Sequence, residues 1–289
     1  MSEKKPSMTN FIVSRAETGM TIQQFLAKKL NVSNRGAKNL LDNKQVWVNL
    51  RAVWMAHHAL KSGDAVEVRL TRQNESAQER VRRSNIRILF QDGDYLIADK
   101  PTGILSVGKE SAEKILQDQI ALPTLQAVHR LDKETSGCLL FAKNPAAWEA
   151  AVSVFKTRQV KKIYQTIVWG RYERDTSTIR QSLDGENAVS HIRKEMVAPD
   201  ASFLRIRIET GRTHQIRRHM AMIRYPVLGD RQYGFKTLRD PRLPSVPRIM
   251  LHACELEMPH PTQPKAMLKA HSPLPADFRR CLKLFDLGK

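Results

Sequence analysis

Cysteine is scarce in this 289-residue chain: Cys138, Cys254 and Cys281 are widely separated and odd in number. Such a set makes neither a disulfide framework nor a zinc ligand cluster, and it fits a reducing, cytoplasmic setting. Long apolar runs are missing as well. None reaches the roughly 20 residues that a membrane-spanning helix needs. Met1-Ser2-Glu3-Lys4-Lys5-Pro6 carries bases with no apolar stretch behind them, so no secretory signal is expected. No Gly-rich dinucleotide loop follows a strand, and no Gly-Lys-Ser/Thr phosphate cradle is present. On a helix, His214 and His219 would point about 140° apart, a poor pair of metal ligands. The expectation is therefore no metal, no nucleotide and no other cofactor. Aromatic residues make up 6%, so any base stacking is local and not a broad platform.

Acidic residues are also in short supply. Lys and Arg number 48 against 29 Asp and Glu, a formal net charge of +19. That imbalance points to a polyanionic partner, because each Lys or Arg laid on a phosphate releases condensed counterions. An anionic membrane surface would also attract such a chain, but no basic amphipathic anchor stands out. Nucleic acid is the expected partner. With 41% hydrophobic residues, the chain has ample material for globular cores.

The pattern along the chain divides it into four segments. Residues 1–10 are polar and expected to fray. Residues 11–71 read as a small module of two short helices followed by strands. Thr21 and Gln24 form a capping box before Ile22, Phe25, Leu26 and Leu30, and Ser33 caps a second helix with Ala37, Leu40 and Leu41 inward. Val46-Trp47-Val48-Asn49 and the alternating Val66, Val68 and Leu70 are strands, with Gly63-Asp64 turning the chain. Residues 72–84 carry almost no apolar side chain and read as a linker.

Residues 85–289 form the large domain. Asp92-Gly93 between apolar runs signals a hairpin, and Lys100-Pro101-Thr102-Gly103 a turn. Asn144-Pro145 opens a helix with an apolar stripe of Trp148, Ala151, Val152 and Phe155. Residues 161–170 are a strand with Tyr164 on the face opposite Ile163. Leu204, Ile206 and Ile208 mark a half-buried strand, and Thr213 is placed to cap a helix that stops before Pro226. A last helix follows Pro275. Strands that outnumber helices and are joined by hairpin-like links give an α+β domain around a mixed or antiparallel sheet.

Two stretches stand apart. The first is His129-Arg130-Leu131-Asp132-Lys133-Glu134-Thr135-Ser136-Gly137, an acid between two bases on a loop that feeds the buried run Cys138–Ala142. A carboxylate on a loop held by a rigid strand is well placed for chemistry, although a lone loop aspartate more often caps a turn. The second is Gly211-Arg212-Thr213-His214-Gln215-Ile216-Arg217-Arg218-His219. In this order the two resemble the signature motifs of the RluA-type pseudouridine synthases, which isomerise uridine in RNA. Lys162-Ile163-Tyr164, Gly229–Gly234 and Leu251-His252-Ala253 are similar to further motifs of that family. The module at 11–71 resembles the alpha-L RNA-binding domain first seen in a small-subunit ribosomal protein.

The resemblance implies an RNA pseudouridine synthase, an isomerase that needs no cofactor and takes RNA, in particular 23S ribosomal RNA, as its substrate. It implies Asp132 as the catalytic carboxylate. That group would either attack the anomeric carbon, as in retaining glycosidases, or remove a sugar proton on the way to a glycal. It implies Arg217, rather than its neighbour Arg218, as the cation that keeps Asp132 charged by forking onto it. Tyr164 would stack under the uracil near its carbon 5, and Arg130 would fill the space left when the base is extruded. Arg35 and Lys38 would meet phosphates. His129 reads as a hydrogen-bonded loop residue. A monomer is expected. Other readings are a synthase acting on transfer RNA, a non-catalytic RNA-binding or ribosome-assembly factor, and a hydrolytic RNA glycosidase. The sequence departs from the family pattern at three places. Leu50-Arg51 replaces the usual glycine after Asn49, which puts a tight turn in doubt. Val107 stands where a histidine is common and would alter the pocket rim. Thr166 stands where alanine is usual.

Overall fold

The computed structural model describes residues 7–30, 32–43, 45–70, 85–157, 159–235 and 240–288. They form two compact units, one up to residue 70 and one from residue 85. The expected linker at 72–84 and residues 1–6 lie outside the described residues.

In the first unit, β1 (Ser7–Ile12) is followed by α1 (Ile22–Lys29), α2 (Asn34–Asp42), β2 (Val46–Val48), β3 (Arg51–Ala52) and β4 (Ala65–Leu70). The strands form an antiparallel sheet in the order β1-β4-β2-β3. The capping box at Thr21 and Gln24 is present, and the Ser33 hydroxyl accepts from Gly36 N at 3.1 Å. These caps satisfy donors that a helix start leaves without partners. Phe25 and Leu26 of α1, Leu40 and Leu41 of α2, and Val46, Val66 and Val68 of the strands share one core. The chain is ordered four residues earlier than Phe11, where the apolar run begins, because Ser7–Asn10 pair with Leu70–Glu67 of β4. The tight turn after Val48 also forms. Asn49 and Leu50 both take left-handed backbone angles, φ 49° and 66°, and close a two-residue hairpin between Val48 and Arg51. This is the turn geometry whose twist matches paired strands, adopted here with a leucine that is 81% exposed.

The second unit contains β5 (Ile88–Gln91), β6 (Tyr95–Lys100), α3 (Ala112–Gln119), β7 (Gln126–Ala127), β8 (Ser136–Ala142), α4 (Pro145–Phe155), β9 (Lys161–Trp169), β10 (Thr176–Arg180), β11 (Val189–Val197), β12 (Ala201–Ile208), α5 (Gln215–Met222), β13 (Leu251–Pro259), β14 (Met267–His271) and α6 (Ala276–Leu284). One mixed sheet runs β10-β11-β12-β9-β13-β8-β6-β5, with β14 added to β13 and β7 to β8. Its pairs are antiparallel except β13 with β8, which run parallel through His252 opposite Ser136 and Ala253 opposite Gly137. The fold is thus α+β around a mixed sheet.

Helix α4 covers one apolar cluster, with Ala147 and Ala151 against Tyr95, Ile97 and Leu140. Helix α6 covers another, with Phe278 and Leu282 against Ile167 and Phe203. Strand β12 is more enclosed than its alternation suggests: Ala201 to Leu204 are buried in succession. Polar Ser202 fits there because its hydroxyl accepts from Tyr172 N and donates to Gly170 O, both at 2.8 Å.

The parallel pair brings backbones close. A Cβ on Gly137 would lie 2.2 Å from the carbonyl oxygen of Ala253, and the glycine has φ 114°. No other residue fits that position, which is where the Asp132 loop enters the sheet.

Candidate active site

The loop ahead of β8 is held by backbone contacts. Ser106 Oγ donates to Leu131 O at 3.0 Å and accepts from Leu131 N at 2.9 Å. Gly103 N donates to Lys133 O at 2.8 Å, and Thr102 Oγ1 donates to Glu134 O at 2.8 Å. Lys100 is fully buried, and its ammonium donates to the carbonyls of Pro101, Ile104 and Lys133 at 3.0, 2.9 and 3.2 Å. Burial, then the nearby charge of Arg248, pushes the Lys100 pKa down to about 7. The turn at 100–106 therefore grips the loop on both sides of Asp132 and leaves its carboxylate free to project. Thr135 N closes the loop on Asp132 O at 3.0 Å. Val107, at the end of that segment, is 47% exposed and is not part of the pocket lining around Asp132, so the expected effect on the pocket rim does not arise.

The Asp132 side chain remains 28% exposed, and two cationic side chains approach it. Arg217 Nη1 lies 3.7 Å from Oδ2 and His214 Nε2 lies 3.8 Å from Oδ1. Arg217 is buried, which removes the surface-base reading. It does not fork onto Asp132 as expected, however. Its Nε and Nη2 donate to Asp230 Oδ2 and Oδ1 at 2.7 and 3.0 Å, and Nη2 also reaches Gln232 Oε1 at 3.3 Å. Bidentate pairing fixes the guanidinium plane, so the third nitrogen faces Asp132 in a set direction. Burial works against the charge on Arg217, but the Asp230 pair outweighs it and raises its pKa. Burial likewise pushes the Asp230 carboxyl up, while the Arg217 fork and the backbone N–H groups of Tyr233 and Gln232 bring it below its ordinary value. Arg218 points elsewhere and pairs with Asp184.

The segment after Pro226 supplies this cradle. A Cβ on Gly229 would lie 1.9 Å from Arg248 O, and one on Gly234 would lie 2.2 Å from Asp230 O. The two glycines let the chain fold tightly around Asp230. Tyr233 then stands with its ring centroid 5.0 Å from the Arg217 guanidinium and its hydroxyl 3.1 Å from His214 Nδ1. His214, not Thr213, is the N-cap of α5, and it takes a left-handed backbone with φ 53°. Gln215 does the capping work expected of Thr213, its Oε1 accepting from Arg212 N at 3.1 Å and Thr210 Oγ1 at 2.7 Å. That frees the His214 ring to face Asp132. Asp230, Tyr233 and His214 were not assigned roles from sequence; the glycines flanking Asp230 were the available signal.

Tyr164 lies on β9 between Ile206 of β12 and Ala253 of β13, buried with 8% exposure. Burial first, and then the charge of Asp132, raises its pKa, so the side chain is a neutral phenol at ordinary pH. Arg130 is exposed at the rim, with no salt bridge among the described residues. His129 accepts from Leu140 N at 3.1 Å, stacks on Phe155 at 5.0 Å, and is pushed down to about 3, chiefly by burial. It is a neutral structural acceptor, as expected. Thr166 is satisfied too: its hydroxyl donates to Met250 O at 2.8 Å, which accounts for a hydroxyl at a buried position. In the first unit Lys38 is exposed on α2; Arg35 lies in the same helix, but its side chain falls outside what is described. No group of His, Cys, Asp and Glu suited to a metal occurs among the described residues.

Asp132, Tyr164, Arg217, Arg130 and His214 thus line one pocket of about 70 Å³. It shares Gly211 and Arg212 with a larger cleft of about 560 Å³ lined also by Lys156, Lys162 and Arg180. A small carboxylate pocket beside a basic cleft suits chemistry on one unit of a polyanion.

Comparison with known proteins gives the same reading. A family model described as RNA pseudouridylate synthase matches residues 94–222. The "Ribosomal large subunit pseudouridine synthase D" of Xanthomonas campestris is 31% identical over 77% of this chain and 76% of its own length. The chain belongs to the RNA pseudouridylate synthase family. It is an RNA pseudouridine synthase, an isomerase that acts on RNA. The synthase of the same name from Pseudomonas aeruginosa is 33% identical over 69% of this chain and 71% of its own. Among solved structures, "Human RNA Pseudouridylate Synthase Domain Containing 1" superposes with a TM-score of 0.56 at 27% identity, covering 66% of this chain and 84% of that one. No helix among the described residues of this synthase is long and apolar enough to cross a membrane.

Proposed function

We propose that this synthase converts specific uridines of 23S ribosomal RNA to pseudouridine, with Asp132 as the catalytic carboxylate. The observation that carries the reading is the meeting of Asp132, Tyr164 and Arg217 at one pocket, with Arg217 locked in direction by Asp230. The choice of large-subunit RNA is supported by the names of relatives such as those of Xanthomonas campestris and Pseudomonas aeruginosa.

The reaction breaks the bond from ribose to N1 of uracil, turns the base and rejoins it through carbon 5, whose proton leaves. Asp132 either bonds to the anomeric carbon or takes a ribose proton to give a glycal. In both routes it acts as an ionised carboxylate, and the fixed positive charge of Arg217 favours that form. Tyr164, a neutral phenol, supports the uracil face near carbon 5. Extruding the base from its stack costs a few kcal/mol, and the Arg130 guanidinium, free at the rim, offsets that cost by stacking in the vacated space. The steps involve no redox change and no phosphoryl transfer, so no nucleotide cofactor enters. The first unit is an alpha-L-type RNA-binding module at residues 11–71 that holds the RNA, with Arg35 and Lys38 against phosphates; residues 85–289 are the catalytic domain and 72–84 the linker. The enzyme works as a monomer in the cytoplasm.

The test incubates the protein with unmodified 23S and transfer RNA transcripts and maps pseudouridine by chemical labelling and primer extension. Specific stops in 23S RNA are expected. Stops confined to transfer RNA would move the substrate, and release of free uracil would make the protein a hydrolase.

A further inference from the structure

Thr135 stands three residues beyond Asp132 and closes the same loop turn through its backbone N–H. The residue is 2% exposed. Its hydroxyl is the one buried side-chain oxygen or nitrogen among the described residues with no hydrogen-bond partner. The polar side chains around it are all satisfied: Ser106 and Thr102 bond to the loop, Ser136 to His252, and Thr166 to Met250. Thr135 also lines the pocket shared by Asp132, Tyr164 and Arg217.

A buried hydroxyl without a partner is unfavourable, and valine would fill the same volume without that penalty. Native proteins rarely leave such a group, and where they do it calls for a reason. We propose that the Thr135 hydroxyl is a substrate-binding group: it hydrogen-bonds a polar atom of the target nucleoside when the extruded uridine enters the pocket. In the free enzyme the group is held unpaired and preorganised; in the complex the nucleoside completes it. This rests on the reading that the pocket takes uridine from RNA. Most of the affinity for a long RNA comes from phosphate contacts elsewhere, so loss of this one contact falls on the reaction of bound RNA and not on RNA binding.

Thr135→Val and Thr135→Ser are compared with wild type on an RNA in which wild type forms pseudouridine. The readouts are the single-turnover rate at saturating enzyme, RNA affinity by filter binding, and Tm of the free protein. The expected result for Thr135→Val is a rate lowered by about 10- to 100-fold, affinity within about twofold, and a Tm equal to or above that of wild type. Thr135→Ser restores the rate to within a few-fold. A valine variant that runs at the wild-type rate overturns the proposal. So does one that loses Tm or fails to fold, because the hydroxyl would then have a partner in the free protein. Failure of the underlying reading looks different: wild type itself would form no pseudouridine.

Discussion

Arg217 owes its place in the pocket to a second carboxylate. The pair with Asp230 is buried on both sides, 7% and 0% exposed at the side chains. Removing one partner of such a pair leaves an uncompensated charge and costs about 3–5 kcal/mol. Asp230→Ala is therefore expected to destabilise the second unit by that amount in urea unfolding, and to lower the pseudouridine rate beyond what the surviving folded fraction explains, because the guanidinium loses its fixed direction. His129 makes a different prediction. Its pKa is held near 3 in the folded state against an ordinary 6.5, so the unfolded chain takes up the proton first on acidification. Stability from this group is complete above about pH 6.5 and is lost as pH falls from there towards 3. His129→Gln, which keeps an acceptor for Leu140 N, should flatten that part of the stability–pH curve; an unchanged curve would show that His129 is not buried neutral. The residues that motifs brought forward, Asp132, Tyr164 and Arg217, do share the pocket. Their spacing in sequence could not reveal that Asp230 takes the Arg217 fork, because that contact depends on a backbone approach at Gly229 that only the fold creates.

Among the elements, caps and turns were the most legible features. Thr21, Ser33 and Asn144 cap the helices they precede, since a side-chain oxygen at those positions meets a donor the helix leaves open. Thr213 failed the same logic because the chain turns left-handed at His214 and Gln215 satisfies the donor from within the helix. The sheet order was not legible, since one parallel pair, β8 with β13, joins segments more than 100 residues apart. That junction sets a sharp requirement: Gly137→Ala should abolish soluble expression or lower Tm steeply, as the added carbon meets the Ala253 carbonyl at 2.2 Å. The hairpin at Asn49-Leu50 gives the opposite sign. A leucine in the left-handed region costs roughly 1–2 kcal/mol, partly offset by the entropy that glycine would lose. Leu50→Gly is expected to stabilise the first unit by about 0.5–1 kcal/mol in denaturant titration, with no effect on the chemistry at Asp132.

At the scale of the whole molecule, the formal charge of +19 is the leading fact. Legible from composition alone, it pointed to a polyanion before any motif was considered. Positive groups bordering the pocket, Arg130, Arg212, Lys162 and Arg180, give the second unit a basic approach to its one carboxylate site. RNA affinity should fall steeply with salt, and each phosphate contact removed should reduce the slope of log K against log salt by about 0.7–0.9. Lys38→Ala tests one contact assigned to the first unit; an unchanged slope would remove Lys38 from the RNA interface.

The central claim is that Asp132 performs the isomerisation while the rest of the molecule holds the RNA and positions the pocket. The most direct measurement compares wild type with Asp132→Asn, a near-isosteric change, on the same RNA at enzyme concentrations that saturate binding, with pseudouridine counted at the modified position. The account predicts no pseudouridine from the variant, RNA affinity within about twofold of wild type, and an unchanged fold. Pseudouridine formed by Asp132→Asn at a rate near wild type would contradict it.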